Sequence, residues 1–191
     1  GLNLPAGART PEQQRKLRTI ENVIHIPASS IVAHLRWGTF FFRDIVSKRT
    51  GGASPFGNEG AHYAGSDDDA ALIAGVLRYR ADPGAVARFA ADADLTGRIP
   101  VPVITVKWIG DPTAFVELDH RFQQTMEHAG AAQHLVQTFT RQGTHSYIND
   151  VTYAALMTEL LGWVEHGAKP TPASVAARCQ ALQARWGADC S

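Results

Sequence analysis

The chain has no surplus of charge of either sign, since 18 Lys and Arg stand against 18 Asp and Glu. Nucleic acids and anionic membrane surfaces select a basic face, so neither is expected as the main partner. No apolar run approaches the roughly 18 to 20 residues that cross a bilayer, and no signal-peptide pattern opens the sequence. The spacings His-Glu-x-x-His and Cys-x-x-Cys are both missing despite 8 histidines, so neither a metal centre nor another cofactor is expected. There is no Gly-x-Ser-x-Gly, the motif whose small residues let a strained turn expose a nucleophilic serine. The nearest approach is Gly52-Ala53-Ser54-Pro55-Phe56, in which the last glycine is lacking and proline blocks the turn. Ser54 is therefore a poor nucleophile candidate.

Cysteine is also scarce, with two residues near the end of the chain. From Cys179 about two helical turns lead to Gly187, and three further residues can fold back to bring Cys190 to it. A Cys179–Cys190 disulfide is the expectation and two free thiols the alternative; a disulfide points to an oxidising, secreted or periplasmic setting. The sequence begins Gly-Leu-Asn-Leu-Pro rather than with methionine, which reads as a mature or excised product that has lost an upstream part.

What is present is an ordinary globular composition, 45% hydrophobic over 191 residues, enough to bury a sizeable core. The first half, residues 1–97, reads as mainly helical. Thr10 caps a helix opened by Pro11 and carrying Leu17, Ile20 and Ile24 on one face, and Pro27 interrupts it. A second helix is expected from about Ser30 to Lys48. Its aromatic residues Trp37, Phe40, Phe41 and Phe42 are expected mainly in the core, with Trp37, Phe41 and Phe42 as candidates for an apolar substrate pocket. The stretch from Thr50 to Tyr63 is a long glycine-bearing loop and a candidate rim for a site. Ser66-Asp67-Asp68-Asp69 lacks the spaced ligands and central glycine of a calcium loop, and helix capping explains it better.

The second half, residues 98–191, reads as α/β. Val101 to Ile109 is an apolar, β-branched run suited to a strand buried on both faces, and it stops at Gly110-Asp111-Pro112. Leu118, Phe122, Met126 and Ala129 recur at helical spacing, and a second strand, Leu135 to Thr140, leads to Gly143-Thr144-His145-Ser146. In open sheets of this kind chemistry gathers beyond the carboxyl ends of the strands, where Asp111 and His145 both fall. A carboxylate holding one imidazole nitrogen leaves the other free as a base, so these two residues are the candidate acid and base of a catalytic triad. Glu117 and Asp119 compete less well with Asp111 because they fall inside the following helix. Farther on, Tyr153, Leu156, Met157, Leu160, Leu161 and Val164 mark a clean amphipathic helix expected to pack on the sheet, and Val175, Cys179, Leu182 and Trp186 mark the last one.

With Gly110-Asp111-Pro112 followed by Gly143-Thr144-His145, the chain resembles the α/β-hydrolase superfamily, in particular secreted or periplasmic bacterial serine esterases and peptidase-like relatives. The resemblance implies the C-terminal part of a hydrolase sheet of about three strands, with the helical residues 1–97 as a cap, completed by an N-terminal chain. It implies that this N-terminal chain brings the serine elbow and oxyanion hole, so that the enzyme is a two-chain serine hydrolase made by proteolytic processing. A carboxylic ester with a hydrophobic group is the expected substrate; an amidase or peptidase of the same kind, or a non-catalytic ligand-binding relic, is the alternative. Lys107 departs from the pattern, lying in the strand where many relatives have histidine.

Overall fold

The computed structural model describes residues 1–190, and the chain divides into two compact units, Gly1–Asp94 and the residues from Leu95 on. The first unit is helical because its sequence supplies helix starts and no alternating β-branched runs. Helix α1 (Pro11–Ile24) opens with a reciprocal cap, in which Thr10 Oγ1 accepts from Gln13 N at 3.2 Å and Gln13 Oε1 accepts from Thr10 N at 3.0 Å. Helix α2 (Ala28–Asp44) follows Pro27 and passes into a π-helical turn, Ile45–Arg49. Helices α3 (Asp69–Gly75) and α4 (Pro83–Ala93) are capped by Asp68 and Asp82, whose carboxylates accept from Ala71 N and Ala85 N.

The aromatic run of α2 is not the core that its composition suggests. Trp37, Phe40, Phe41 and Phe42 are all exposed, while the buried residues of the helix are Ile31 and Gly38. Successive residues are about 100° apart around a helix, so Phe40, Phe41 and Phe42 cannot share one buried face. Phe42 does contact Phe56 from the following loop at 4.7 Å between ring centroids, and Phe56 in turn meets Phe89 of α4. That loop has no helix or strand between Thr50 and Asp68. It is nevertheless anchored, because Asn58 donates to Leu77 O, accepts from Tyr79 N and gives its own N–H to Tyr79 O. A Cβ at the neighbouring Gly57 would come within 2.6 Å of Ala81 N, so only glycine permits this approach.

The second unit holds strand β1 (Val103–Trp108), helix α5 (Glu117–His128), strand β2 (Leu135–Thr140), helix α6 (Asp150–His166) and helix α7 (Pro172–Trp186). The strands pair in parallel from Val103 opposite Leu135 to Trp108 opposite Thr140. A parallel pair needs a crossover, and α5 supplies it. Met126 of α5 is fully buried, and Gln137 of β2 donates to Asp119 O to tie strand and helix together.

The expected α/β class with about three strands of a hydrolase sheet is corrected here. The chain is mainly helical, with 55% of residues in helices and 7% in strands, and its sheet has two strands. With no further neighbour among the described residues, β1 is half-buried along its length instead of enclosed on both faces, and Val101 and Ile109, just beyond its ends, are exposed.

Helix α6 has no single apolar face, because its apolar residues are spread around the helix. It buries Val151, Thr152, Ala155, Leu156 and Trp163, while Tyr153, Met157, Leu161 and Val164 of the expected packing face are exposed. The buried side is the one that meets α7, where Glu159 accepts from Ser174 Oγ and Arg178 Nε, both at 2.9 Å. Cys179 of α7 is bonded to Cys190, with Cα atoms 6.0 Å apart, and both pack beside Val151 and Ala155. Gly187 makes this return possible by ending α7 in the left-handed conformation at φ 62°. Among the described residues no helix is long and apolar enough to cross a membrane.

Candidate active site

The acid lies in the turn at the end of β1. Ile109 N still reaches across to Thr140 O, so the sheet ladder persists one residue beyond β1 before Gly110 and Asp111 turn away. Pro112 has no N–H to offer, and Asp111 Oδ1 instead accepts from the next two amides, Thr113 N at 2.8 Å and Ala114 N at 3.0 Å. This fixes the carboxylate, whose side chain is only 8% exposed.

The base lies in the loop after β2. Thr144 and Tyr147 exchange two backbone hydrogen bonds of 3.1 Å, closing a tight turn with His145 and Ser146 at its tip. Ser146 has φ 63°, a left-handed conformation that a side chain rarely adopts. At the foot of the turn a Cβ on Gly143 would approach Trp108 Cβ to 3.2 Å, so a residue without a side chain suits that position.

His145 Nδ1 is 3.1 Å from both oxygens of Asp111. A carboxylate can only accept, so Nδ1 carries a hydrogen, and in the neutral imidazole Nε2 presents its lone pair. No hydrogen-bond partner meets Nε2 among the described residues, and the His145 side chain is 46% exposed. Burial pushes the Asp111 carboxyl up, but hydrogen bonds from Ala114 N, Thr113 N and His145, with the nearby charge of Lys107, outweigh it and hold the group at about 2. Asp111 is therefore an anion throughout the neutral range.

Both residues line a cavity of about 320 Å³, together with Lys107, Trp108, Tyr147 and Tyr153. The rings of Tyr147 and Tyr153 meet edge to face at 6.5 Å, and the Tyr153 hydroxyl accepts from Ile148 N. The wall thus mixes aromatic rings and aliphatic side chains, among them Val106 and Ile148, with a few polar groups, a common composition for a small-molecule site.

Comparison with protein-family models, curated proteins and solved structures finds no match. What the site can do must come from its own geometry.

The structure brings Asp111 and His145 together across the two strand ends, while Glu117 and Asp119 lie on α5 without contact to the imidazole. Trp37, Phe41 and Phe42 belong to the first unit, where they are exposed on α2, whereas the cavity beside Asp111 and His145 is built by the second. Ser54 Oγ donates to Phe56 O and accepts from Phe56 N within its own loop. Ser146 lines the cavity but makes no hydrogen bond to His145 among the described residues. No group of three or more His, Cys, Asp or Glu among the described residues could hold a metal ion. Three residues of the wall, Trp108, Tyr147 and Tyr153, escape a reading by strand ends alone. Their signal is positional: each lies within a few residues of Asp111 or along the segment leading from His145 into α6.

Proposed function

We propose that this chain supplies the acid and base of a serine hydrolase acting on carboxylic esters, with the nucleophile and oxyanion hole on an N-terminal chain of the same enzyme. The observation that carries the reading is the contact of His145 Nδ1 with both oxygens of Asp111, which leaves Nε2 without a hydrogen-bond partner among the described residues, beside a cavity lined in part by aromatic rings. The resemblance to the α/β-hydrolase superfamily then rests on this site and on the order of acid before histidine, not on the sheet.

In the proposed reaction His145 Nε2 takes the proton of the partner's serine as its oxygen attacks the ester carbonyl carbon. The imidazolium, held by the Asp111 carboxylate, then gives that proton to the departing alkoxide. Water repeats the sequence on the acyl-enzyme and releases the acid. Trp108, Tyr147 and Tyr153 favour a hydrophobic or aromatic group on the substrate, and the disulfide favours a secreted or periplasmic enzyme.

The test is fluorophosphonate labelling of the native assembly containing this chain, followed by mass spectrometry under denaturing conditions. A labelled serine on a co-purifying polypeptide, lost on His145→Ala together with at least about a thousandfold of esterase turnover, is the expected result. An assembly that takes no label overturns the reading and leaves a ligand-binding domain. Parallel assays on matched ester and anilide substrates separate esterase from amidase.

A further inference from the structure

The loop that carries His145 rejoins the helical frame at Asn149, the residue from which α6 starts. Asn149 caps that helix, its Oδ1 accepting from Thr152 N at 3.0 Å and from Thr152 Oγ1 at 2.8 Å. With the oxygen so engaged, the NH2 end of the amide points the other way and donates to Asp189 O, 40 residues farther along the chain. Asp189 directly precedes Cys190, which is bonded to Cys179 of α7, and Thr152 Oγ1 lies 3.7 Å from Cys179 Sγ. The first turn of α6 therefore meets the disulfide clip twice, once beside each cysteine. We propose that the Cys179–Cys190 clip is a positioning device for the His145 loop, and that Asn149 is the positioning residue through which it acts.

A cap by itself fixes only the local direction of the chain, and the bond to Asp189 adds a constraint from outside the segment. After Gly187 the chain has left α7, and Asp189 is brought to Asn149 by the disulfide, with Gln183 Nε2 donating to Asp189 Oδ1 at 3.3 Å. That exposed hydrogen bond is a weak hold alone, so opening the disulfide lets Asp189 O leave Asn149. The cavity wall feels the change on both sides of Asn149. Tyr147 precedes it and Tyr153 follows it, their rings meet edge to face, and the Tyr153 hydroxyl accepts from Ile148 N at 3.4 Å. Loop and first helical turn therefore move together.

A disulfide that only stabilises acts through the unfolded chain and leaves the motions of the folded one as they are. A positioning clip acts on the folded state and at one place, and its effect is lost with the Asn149 donor even while the disulfide stays closed. The consequence for turnover rests on the proposed role of His145; the mechanical link does not.

The experiment measures backbone NMR order parameters in the full 191-residue chain. Wild type is compared with Cys179→Ala plus Cys190→Ala, with Asn149→Ser, and with all three changes together. Serine keeps a cap for Thr152 N but is too short to reach Asp189 O. In the cysteine variant and in Asn149→Ser the amides of Thr144, Tyr147 and Ile148 should fall by about 0.1 to 0.2 from the rigid value of about 0.85, with the Asp189 amide falling alongside. The amides of β1 and β2 should stay as in wild type, and the combined variant should add nothing to either change alone. Asn149→Ser, which keeps the disulfide, decides if the cysteine variant does not fold. An unmoved loop, an equal loss of order in β1 and β2, or additive losses in the combined variant overturns the inference. In the assembled enzyme turnover should fall about tenfold in each variant, with KM changing less. Unchanged turnover in a variant whose loop has loosened overturns the positioning role. If no esterase activity exists the proposed function fails, while the order parameters still decide the link between clip and loop.

Discussion

Replacing Asp111 by Asn keeps the size of the side chain and its ability to accept from Thr113 N and Ala114 N, but removes the charge that His145 and Lys107 share. The structure allows the stability effect to be worked out. The carboxyl falls from its ordinary 3.8 to about 2, a difference of about 1.8 pH units, which at about 1.4 kcal/mol each is about 2.5 kcal/mol. Because the folded value is the lower one, this contribution is fully present above about pH 4 and disappears as the pH falls towards 2. The asparagine variant also leaves Lys107, with only 12% of its side chain exposed, without its counter-ion. A loss of about 2 to 3 kcal/mol is expected at pH 7, read from urea unfolding of the whole chain. The gap between the two proteins should narrow steadily below pH 4. Turnover in the assembled enzyme should fall by about ten-thousandfold, because the asparagine amide can donate to Nδ1 and force the hydrogen onto Nε2. A stability gap that stays constant between pH 7 and pH 3 would refute the linkage reasoning. A turnover loss below about a hundredfold would remove Asp111 from the acid role.

Two further perturbations probe the frame around the site. Cys179→Ala with Cys190→Ala opens a disulfide that spans 11 residues, and a loss of about 3 kcal/mol is expected, measured as a lower Tm that no longer responds to reductant. Ser146→Gly removes the cost of a side chain at φ 63°, so it should stabilise the chain by up to about 1 kcal/mol in urea. A decrease would show that the serine hydroxyl contributes more than its backbone costs.

Much of the candidate site was legible because it depends on short stretches. The run from Val103 to Trp108 has the β-branched pattern of a strand, Gly110-Asp111-Pro112 can only turn, and Gly143 precedes a histidine at the end of a second such run. The helix start at Thr10 is equally local, since its side chain caps an amide three residues away. Lys107 was visible as an ion in an apolar strand, but its partner was not. That contact depends on how Gly110 turns the chain back, which four residues of spacing cannot specify.

By itself the sequence determined which stretches become the two strands and most of the helices, where the acid and the base can stand, and which cysteines can meet. These follow from backbone propensity, caps and chain reach, all of which act over a few residues. Only the tertiary structure decided that the sheet stops at two strands, that α2 leaves Phe40 and Phe41 exposed, and that α6 buries Ala155 and Leu156 rather than Met157 and Leu161. A helix whose apolar residues are spread around its circumference carries little local preference for one face, so packing against α7 made the choice. The 3.1 Å contact between Asp111 and His145 belongs to the same class. Thirty-four residues separate the two in sequence, and only the parallel register of β1 and β2 brings their loops together.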